Sequence, residues 1–546
     1  MTSNELEIFK QSILDDVRVM MQTTGQVTQY IGARYVPLFA EPLDWSAERE
    51  YEPLTIVLDH GNSFTSRQFV PKGVEISDES FWANTGNYNA QIEQYRQEVE
   101  VLKNKFQDSF SQFCNTYDTV AEMLSDTKLI EGAIAHTNGF YKQNDGGAAW
   151  YRVASDTVVN NLDVLKGANA NCNLILIEGF ISPEMLGAKG DGSTDDSAAL
   201  QRAIDMCGAD TYCQLSKKVY ATSKTINVTN DYTNIIGCSN FKSTVCFTVA
   251  KGNDDALFNI TAQNTVFDNI SFRPVAVPSE RSSTALDYNP ANGMNADSNV
   301  KNCVFFRNYY AIKVRGLNVS LDSSLVSNCF YGYYIVDVST SEQLRGYIIT
   351  NNRFHGCLNV VYNTIKTATV NQNVFISNNF VDGGVSSVYL GPADGVVISG
   401  NTCRASNSAN AIFIRFTSSA HQENIACVTN NMLCGYAEDM TTTSNIGVFI
   451  TSTLKKAHIT LIGNTIYGFD LPVSNQGSET VMLISGNLIK TKGTSESKAL
   501  NIESKTNRGN IASNLYVGIT GQNTESIATI PSLNFGNTGN EMYFIP

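Results

Sequence analysis

Four side chains of different chemistry recur at one place in a repeated pattern: Tyr331, His355, Asp382 and Arg404 each stand three residues after an asparagine, namely Asn328, Asn352, Asn379 and Asn401. Held in one row, a phenol, an imidazole, a carboxylate and a guanidinium could bind and cleave a sugar or phosphate polymer. An imidazole beside a carboxylate can titrate near neutrality and act as general acid or base. His355 and Asp382 are therefore the expected catalytic pair. Arg404 joins them to neutralise a substrate carboxylate or phosphate, and Tyr331 is expected to stack on a sugar or donate a proton. Arg353, beside this row, and Tyr467, further along it, complete the expected substrate-binding set. A glycoside hydrolase also needs two carboxylates about 5 to 9.5 Å apart. The candidate partners of Asp382 are Asp394, Asp337 and Glu423, with Glu438 and Asp439 in a long insertion as another acidic pair. The alternative reading is that outward residues of a repetitive structure are solvated or covered by subunit contacts.

What would hold such a row together is the asparagine repeat itself. Asn269, Asn302, Asn328, Asn352, Asn379, Asn401, Asn431, Asn464, Asn487 and Asn514 follow one another at intervals of 22 to 33 residues. Two residues after nearly every one comes a core-type side chain (Val304, Phe330, Phe354, Val381, Cys403, Leu433, Ile466, Ile489, Tyr516), with only Ser271 weak. Glycine often follows two further on, at Gly332, Gly356, Gly383, Gly435 and Gly468. A period of this size with strand-like alternation inside it signals a solenoid. Each repeat is read as one coil of a parallel β-helix, with strands of successive coils about 4.8 Å apart. A recurring corner asparagine can pass side-chain amide hydrogen bonds up and down the stack. Because side chains alternate along a strand, the position two after each asparagine should face inward and the position three after it outward. On that rule Phe272, Phe305, Cys434 and Lys490 also belong to the outward column. A sandwich of antiparallel strands would need hairpin signals about every ten residues, and they are sparse.

Composition narrows the class of function. The chain of 546 residues is 42% hydrophobic and only 16% charged, with 39 Gly, which suits a turn-rich globular protein of several domains. A formal charge of −14 argues against a general binder of nucleic acid or anionic membrane. Three associated copies would be more acidic still, so an anionic polymer would need a locally basic groove. The 12 cysteines show no C-x-x-C or metal-finger spacing and are expected to be mostly reduced and buried, so no metal site or cofactor is expected. The opening MTSNELEIFKQ lacks the pattern of a secretory signal and no stretch approaches a membrane span, which predicts assembly in a cytoplasm.

Before the solenoid, four segments have their own character. Leu6, Phe9, Ile13, Val17 and Met20 mark one face of a helix within residues 1–30. Residues 31–85 turn to a β pattern rich in aromatics (Trp45, Tyr51, Phe64, Trp82). This stretch resembles the small three-stranded carbohydrate-binding-type modules of chitinases and phage fibre proteins, although a miniature aromatic core is the simpler use of those rings. From 86 to 127, Tyr88, Ile92, Tyr95, Val99, Leu102, Phe106, Phe110, Phe113, Tyr117, Val120 and Leu124 form a heptad seam with one stutter, predicting a long helix in a parallel, three-stranded coiled coil. Residues 128–182 carry Gly139-Phe-Tyr-Lys-Gln-Asn-Asp-Gly-Gly-Ala-Ala-Trp-Tyr151, similar to the β collar that precedes the solenoid in phage tailspikes and preneck appendage proteins.

The solenoid, 183–518, opens with Gly187-Ala-Lys-Gly-Asp-Gly-Ser-Thr-Asp-Asp-Ser-Ala-Ala-Leu-Gln-Arg-Ala-Ile204. This resembles the signature of the pectate-lyase-like superfamily, in which a short helix plugs the open end of a right-handed β-helix. Ser193 or Thr194 is expected to cap that helix with Asp195 and Asp196 in its first turn, a structural role. Residues 519–546 are expected to close the other end. The catalytic motifs of polygalacturonases and the calcium site of pectate lyases are absent from the sequence. The whole order resembles a phage tailspike or appendage protein. The fold so implied is mainly β, a single-stranded right-handed parallel β-helix. The resemblance further implies a homotrimer fixed to the phage tail or collar by its N-terminal part, on the virion, that binds and often depolymerises a surface polysaccharide or teichoic acid. A trimeric adhesin without turnover is the first alternative, and a cellular polysaccharide lyase or hydrolase the second.

Overall fold

The computed structural model describes residues 42–517 apart from 87, 114, 156, 170–171, 291–294, 316, 337–343, 364–370, 384–385, 392, 405–411, 417–423, 436–445, 452–455, 492–499 and 503–507, and beyond 517 only two short strands. The helix expected within residues 1–30 lies outside them. The chain divides into two units, Met1–Phe110 and Ser111–Pro546.

In the first unit, Leu43–Asp44, Ile56–Asp59, Asn62–Ser66 and Trp82–Gly86 form a four-stranded sheet, one strand more than the resemblance implied. Tyr51, Val57, Val70 and Trp82 are its buried centre, with Trp45 and Phe64 packed against them. The Tyr51 and Trp82 rings meet edge-on at 5.2 Å. These aromatics therefore act as a core. The helix that follows, Tyr88–Phe113, exposes its seam residues Tyr95, Val99, Leu102 and Phe106 by 64 to 70%.

That helix stops at Phe113, short of the predicted end near 126. Asn115–Tyr117 finds parallel backbone partners in Ile134–Thr137. The Thr119 side chain accepts from the Glu122 amide and starts a separate helix, Val120–Ser125. Tyr117, Val120 and Leu124 thus continue the heptad spacing but pack into the collar instead of a coiled coil. The collar is a five-stranded sheet whose Phe140–Gly147 turn is closed by Asp145, which accepts from the amides of Phe140 (3.0 Å), Tyr141 (2.7 Å) and Gly147 (2.9 Å).

From Phe180 onward the chain winds as a right-handed parallel β-helix. Each coil visits three long parallel sheets in turn, and these hold 14, 14 and 11 strands among the described residues. One coil shows the plan: Leu344–Thr350 in the first sheet, Arg353–His355 in the second and Asn359–Asn363 in the third. Tyr347, Ile349, Phe354 and Val361 point into one continuous core. From Asn351 onward, each coil turns between first and second sheets through a left-handed residue followed by the ladder residue. The left-handed position is Asn351, Asn378, Gly400, Asn430, Gly463, Gly486 or Ser513, with φ between 55 and 66°, a region open to Gly and tolerated by Asn.

Seven of the ten aligned asparagines form an unbroken amide ladder: Asn352, Asn379, Asn401, Asn431, Asn464, Asn487 and Asn514. Each Nδ2 up to Asn487 donates to the Oδ1 of the next at 2.8 to 3.0 Å. The same Oδ1 accepts the preceding asparagine's backbone N–H, at 3.0 Å for the Asn401 amide on Asn431. Asn269, Asn302 and Asn328 depart from the rule. Asn269 and Asn302 occupy the left-handed position one residue earlier (φ 61° and 53°). A one-residue slip turns a strand's side chains to the other face. Phe272 and Phe305, expected outward, are accordingly buried and stacked at 5.0 Å. Asn328 (φ 55°) lies at the following corner, where later coils carry Gly356 and Gly383. In its coil the ladder position is held by Ser324, whose amide donates to Asn352 Oδ1 at 2.9 Å.

The start of the solenoid is closed by the helix Ser197–Asp205, with Leu200, Ala203 and Ile204 buried. The motif aspartates are structural, as expected, but by other contacts than expected. Asp191 to Asp195 form a strand, and Asp196, not Ser193 or Thr194, is the N-cap. Asp196 is buried and accepts from the amides of Lys189 (2.7 Å) and Gly190 (3.0 Å). Asp195 accepts from Ser197 and Ser223. Partial burial pushes the Asp195 carboxyl up, but the hydrogen bonds from Ser197 and Ser223 outweigh it and lower its pKa to about 2. Since the folded value lies below the unfolded one near 3.9, Asp195 contributes stability above that value and loses it as pH falls through about 2. The melting temperature of Asp195→Asn should accordingly fall less steeply between pH 5 and 2 than that of the wild type. Equal slopes would contradict this.

Of the expected closing element at 519–546, the described residues are Leu533–Asn534 and Phe544–Ile545, which extend the first and second sheets by one more rung. No helix among the described residues is long and apolar enough to cross a membrane.

Candidate active site

The three-residue strands of the second sheet present their first and last side chains outward and their middle one inward, because successive side chains of a pleated strand point to opposite faces. The last positions stack in strict register: His355 beside Asp382, Asp382 beside Arg404, then Cys434, Tyr467 and Lys490. Ladder asparagines precede each at a constant three residues, so the amide ladder sets the register of the row. His355 Nδ1 lies 3.5 Å from Asp382 Oδ2, with the two side chains 51% and 39% exposed. Both reach solvent and each other. An imidazole and a carboxylate thus face each other on an open surface that a ligand can reach. Arg404 follows on the next coil, is exposed and joins no ion pair among the described residues.

The other expected site residues fall differently. Arg353 opens the same strand as His355, two residues earlier, in the neighbouring outward column, and its guanidinium lies over the Phe380 ring at 5.8 Å. Tyr467 is in the row, but two coils beyond Arg404. A hydrogen bond with Cys434, burial and the Cys434 thiol raise its phenol pKa, and the nearby Arg404 opposes them. Cys434 itself is buried in spite of its outward place.

Tyr331 is not in the row. With the ladder position of its coil at Ser324, the residue beside His355 is Ser327. Tyr331 belongs to the third sheet, paired with Tyr310 and Asn359 and stacked on the Tyr310 ring at 5.1 Å. The structure thus brings together His355, Asp382 and Arg404, sets Arg353 beside them, and moves Tyr331 across the next corner.

Asp337, Glu423, Glu438 and Asp439 lie outside the described residues. Asp394 sits in the first sheet, registered with Gln372, not on the sheet that carries Asp382. Among the described residues the row itself holds one carboxylate, Asp382.

Tyr334, Tyr362, Tyr389 and Arg415 escaped the sequence reading. They form one outward column of the third sheet. The signal was present, since Tyr334, Tyr362 and Tyr389 each follow their ladder residue by ten. In the next coil the insertion at 405–411 stretches the interval to fourteen, which hides Arg415 from any fixed period.

No family model matches the chain, and no curated protein is similar to it. Among solved structures it is similar to the full-length tailspike protein 2 from Escherichia coli O157:H7 bacteriophage CAB120 (14% identity, TM-score 0.43, 85% of this chain and 58% of that one). It is also similar to the gp42 tailspike of Acinetobacter phage vb_AbaP_AS12 (14% identity, TM-score 0.46, 75% and 71%). A third is Pantoea stewartii WceF, described as a glycan biofilm modifying enzyme with a tailspike-like parallel β-helix (13% identity, TM-score 0.36, 63% and 50%). The chain spans less than two thirds of the length of the first of these structures.

Proposed function

We propose that this protein is a phage tailspike-type receptor-binding protein that binds a bacterial surface polysaccharide or teichoic acid along its β-helix and cleaves it. The observation that carries this reading is the exposed row in which His355 Nδ1 stands 3.5 Å from Asp382 Oδ2 and Arg404 follows in register. His355 moves the proton, Asp382 holds the imidazole in place, and Arg404 with Arg353 holds an anionic group of the polymer. The reaction is tested by incubating purified protein with surface polysaccharide from candidate hosts. Short oligosaccharides and falling viscosity are expected; binding without either would favour the non-enzymatic adhesin.

The working form is a homotrimer on the virion, attached through its N-terminal part to tail or collar proteins. Two apolar surfaces support association. One is the helix seam of Tyr95, Val99, Leu102 and Phe106. The other is the pair Ile348 and Phe375, register neighbours on the first sheet of the solenoid and each 43% exposed. Surfaces of this kind are rarely left bare. Light scattering should return three times the chain mass of 59.7 kDa, and a monomer at micromolar concentration would contradict it.

A further inference from the structure

Across the corner from the catalytic row, the outward face of the third sheet carries a continuous stack of phenols. Tyr310 lies on Tyr331 with centroids 5.1 Å apart and 9° between planes. Tyr331 is tilted against Tyr334 (4.9 Å) and Tyr362 (5.0 Å), and Tyr362 stacks on Tyr389 at 4.6 Å. The rings are half-buried and stand in two adjoining columns, Tyr310–Tyr331 and Tyr334–Tyr362–Tyr389, in each of which in-register strands set equivalent side chains one above the next. What the stack offers to solvent is therefore its edges and hydroxyls. Among the described residues no hydrogen bond engages the hydroxyls of Tyr310, Tyr331, Tyr362 or Tyr389, and none of these oxygens is buried. Burial and the neighbouring phenols push the Tyr331 pKa up to about 12, and Tyr310 and Tyr362 are raised for the same reasons. Tyr310, Tyr331 and Tyr362 thus stay protonated and able to donate.

The two ends of the stack differ in charge. At one end Lys313 stands over the Tyr310 ring at 5.1 Å and is neutralised by Asp254 at 2.7 Å. Asp287, next in that column, is taken by Arg315. At the other end Arg415 lies over Tyr389 at 4.9 Å and Phe449 at 5.6 Å, its Nε is buried with no hydrogen-bond partner, and no carboxylate pairs with it among the described residues. A half-buried guanidinium without a counter-ion is costly unless an anion meets it. Arg353, Arg404 and Lys490 likewise have no ion-pair partner among the described residues, on a chain whose formal charge is −14. The strip on both sides of this corner is locally basic.

We propose that the tyrosine stack and Arg415 form a second binding row for an acidic polysaccharide, laid along the solenoid axis with its hydroxyls on the phenols and its anionic groups on Arg415. The coil spacing of about 4.8 Å is close to the length of one pyranose unit, so successive sugars meet successive phenols. This rests on the reading of the chain as a glycan-binding protein and adds a second set of residues, on another sheet, that reads the hydroxyls and anionic groups of the glycan.

The test uses the full chain on an array of purified bacterial surface polymers of three kinds: uronate-containing capsular polysaccharides, phosphate-containing teichoic acids and neutral polysaccharides. Binding confined to polymers carrying carboxylate or phosphate is expected, and the kind bound identifies the anion. Tyr362→Phe and Tyr389→Phe keep the stack and remove only the hydroxyls, and each should weaken binding about fivefold. Arg415→Gln should weaken it at least tenfold. Binding to neutral polymers alone, or unchanged affinity in all three variants, would overturn the second row while leaving glycan binding intact. Binding to no polymer at all would overturn the glycan reading as well.

Discussion

Asp382→Asn should slow glycan cleavage by about 10²- to 10⁴-fold, the range supplied by a positioned general acid or base, while glycan binding stays within a few fold of wild type. Asparagine keeps the size and the register of the side chain beside His355, but it takes away the charge that faces the imidazole at 3.5 Å. His355→Ala should cost a similar factor. The double variant should be little worse than either single one, because the two residues act as one unit. The measurement is the rate of appearance of new chain ends on a polymer the wild type cleaves, with binding followed separately. Full activity in both single variants would remove the pair from the mechanism. Arg404→Ala belongs to a different class of effect. It should weaken binding of an anionic polymer more than it slows the bound reaction, since a cation two positions from the imidazole in the row acts first on the ground state.

Asn431→Asp should destabilise the solenoid by about 3 to 5 kcal/mol. Asn431 Oδ1 accepts from both the backbone and the side-chain amide of Asn401, and its Nδ2 donates to Ile398 O at 2.8 Å and Asn464 Oδ1 at 3.0 Å. Aspartate fits the space but turns that Nδ2 into an acceptor facing two acceptors, with a charge placed in a buried ladder. The informative control is Asn328→Gly. Asn328 looks like another member of the repeat, yet it sits at the second corner at φ 55°, where Gly356 and Gly383 stand in the next coils. That change should move stability by no more than about 1 kcal/mol. Thermal melting followed by circular dichroism separates the two cases, and similar losses in both would contradict the ladder assignment.

The contrast between Asn431 and Asn328 marks how far the sequence is legible. An asparagine followed two residues later by an apolar side chain announces the ladder wherever the strand after it is short and the corner before it holds one left-handed residue. From Asn352 to Asn514 both conditions hold, and the inward Phe354, Val381, Leu433 and Ile466 and the outward His355, Asp382 and Arg404 follow from spacing alone. In the earlier coils an asparagine can equally supply the left-handed corner residue, since its short amide tolerates positive φ. Sequence spacing cannot distinguish the two uses. That ambiguity put Phe272 and Phe305 on the wrong face and Tyr331 in the wrong sheet. A similar limit ended the heptad seam early: Tyr117, Val120 and Leu124 keep the spacing, but competing backbone partners and the Thr119 cap divert them into the collar.

By itself, then, the sequence determined the repeating coil, the helix that covers its start and the row His355–Asp382–Arg404, because each depends on local periodicity that the backbone translates directly into direction. Only the tertiary structure decided which asparagines stack, where Tyr331 lies and that Tyr334, Tyr362, Tyr389 and Arg415 share a column. Those facts depend on register between coils, and inserted loops change the number of residues in a coil without changing where its strands must sit.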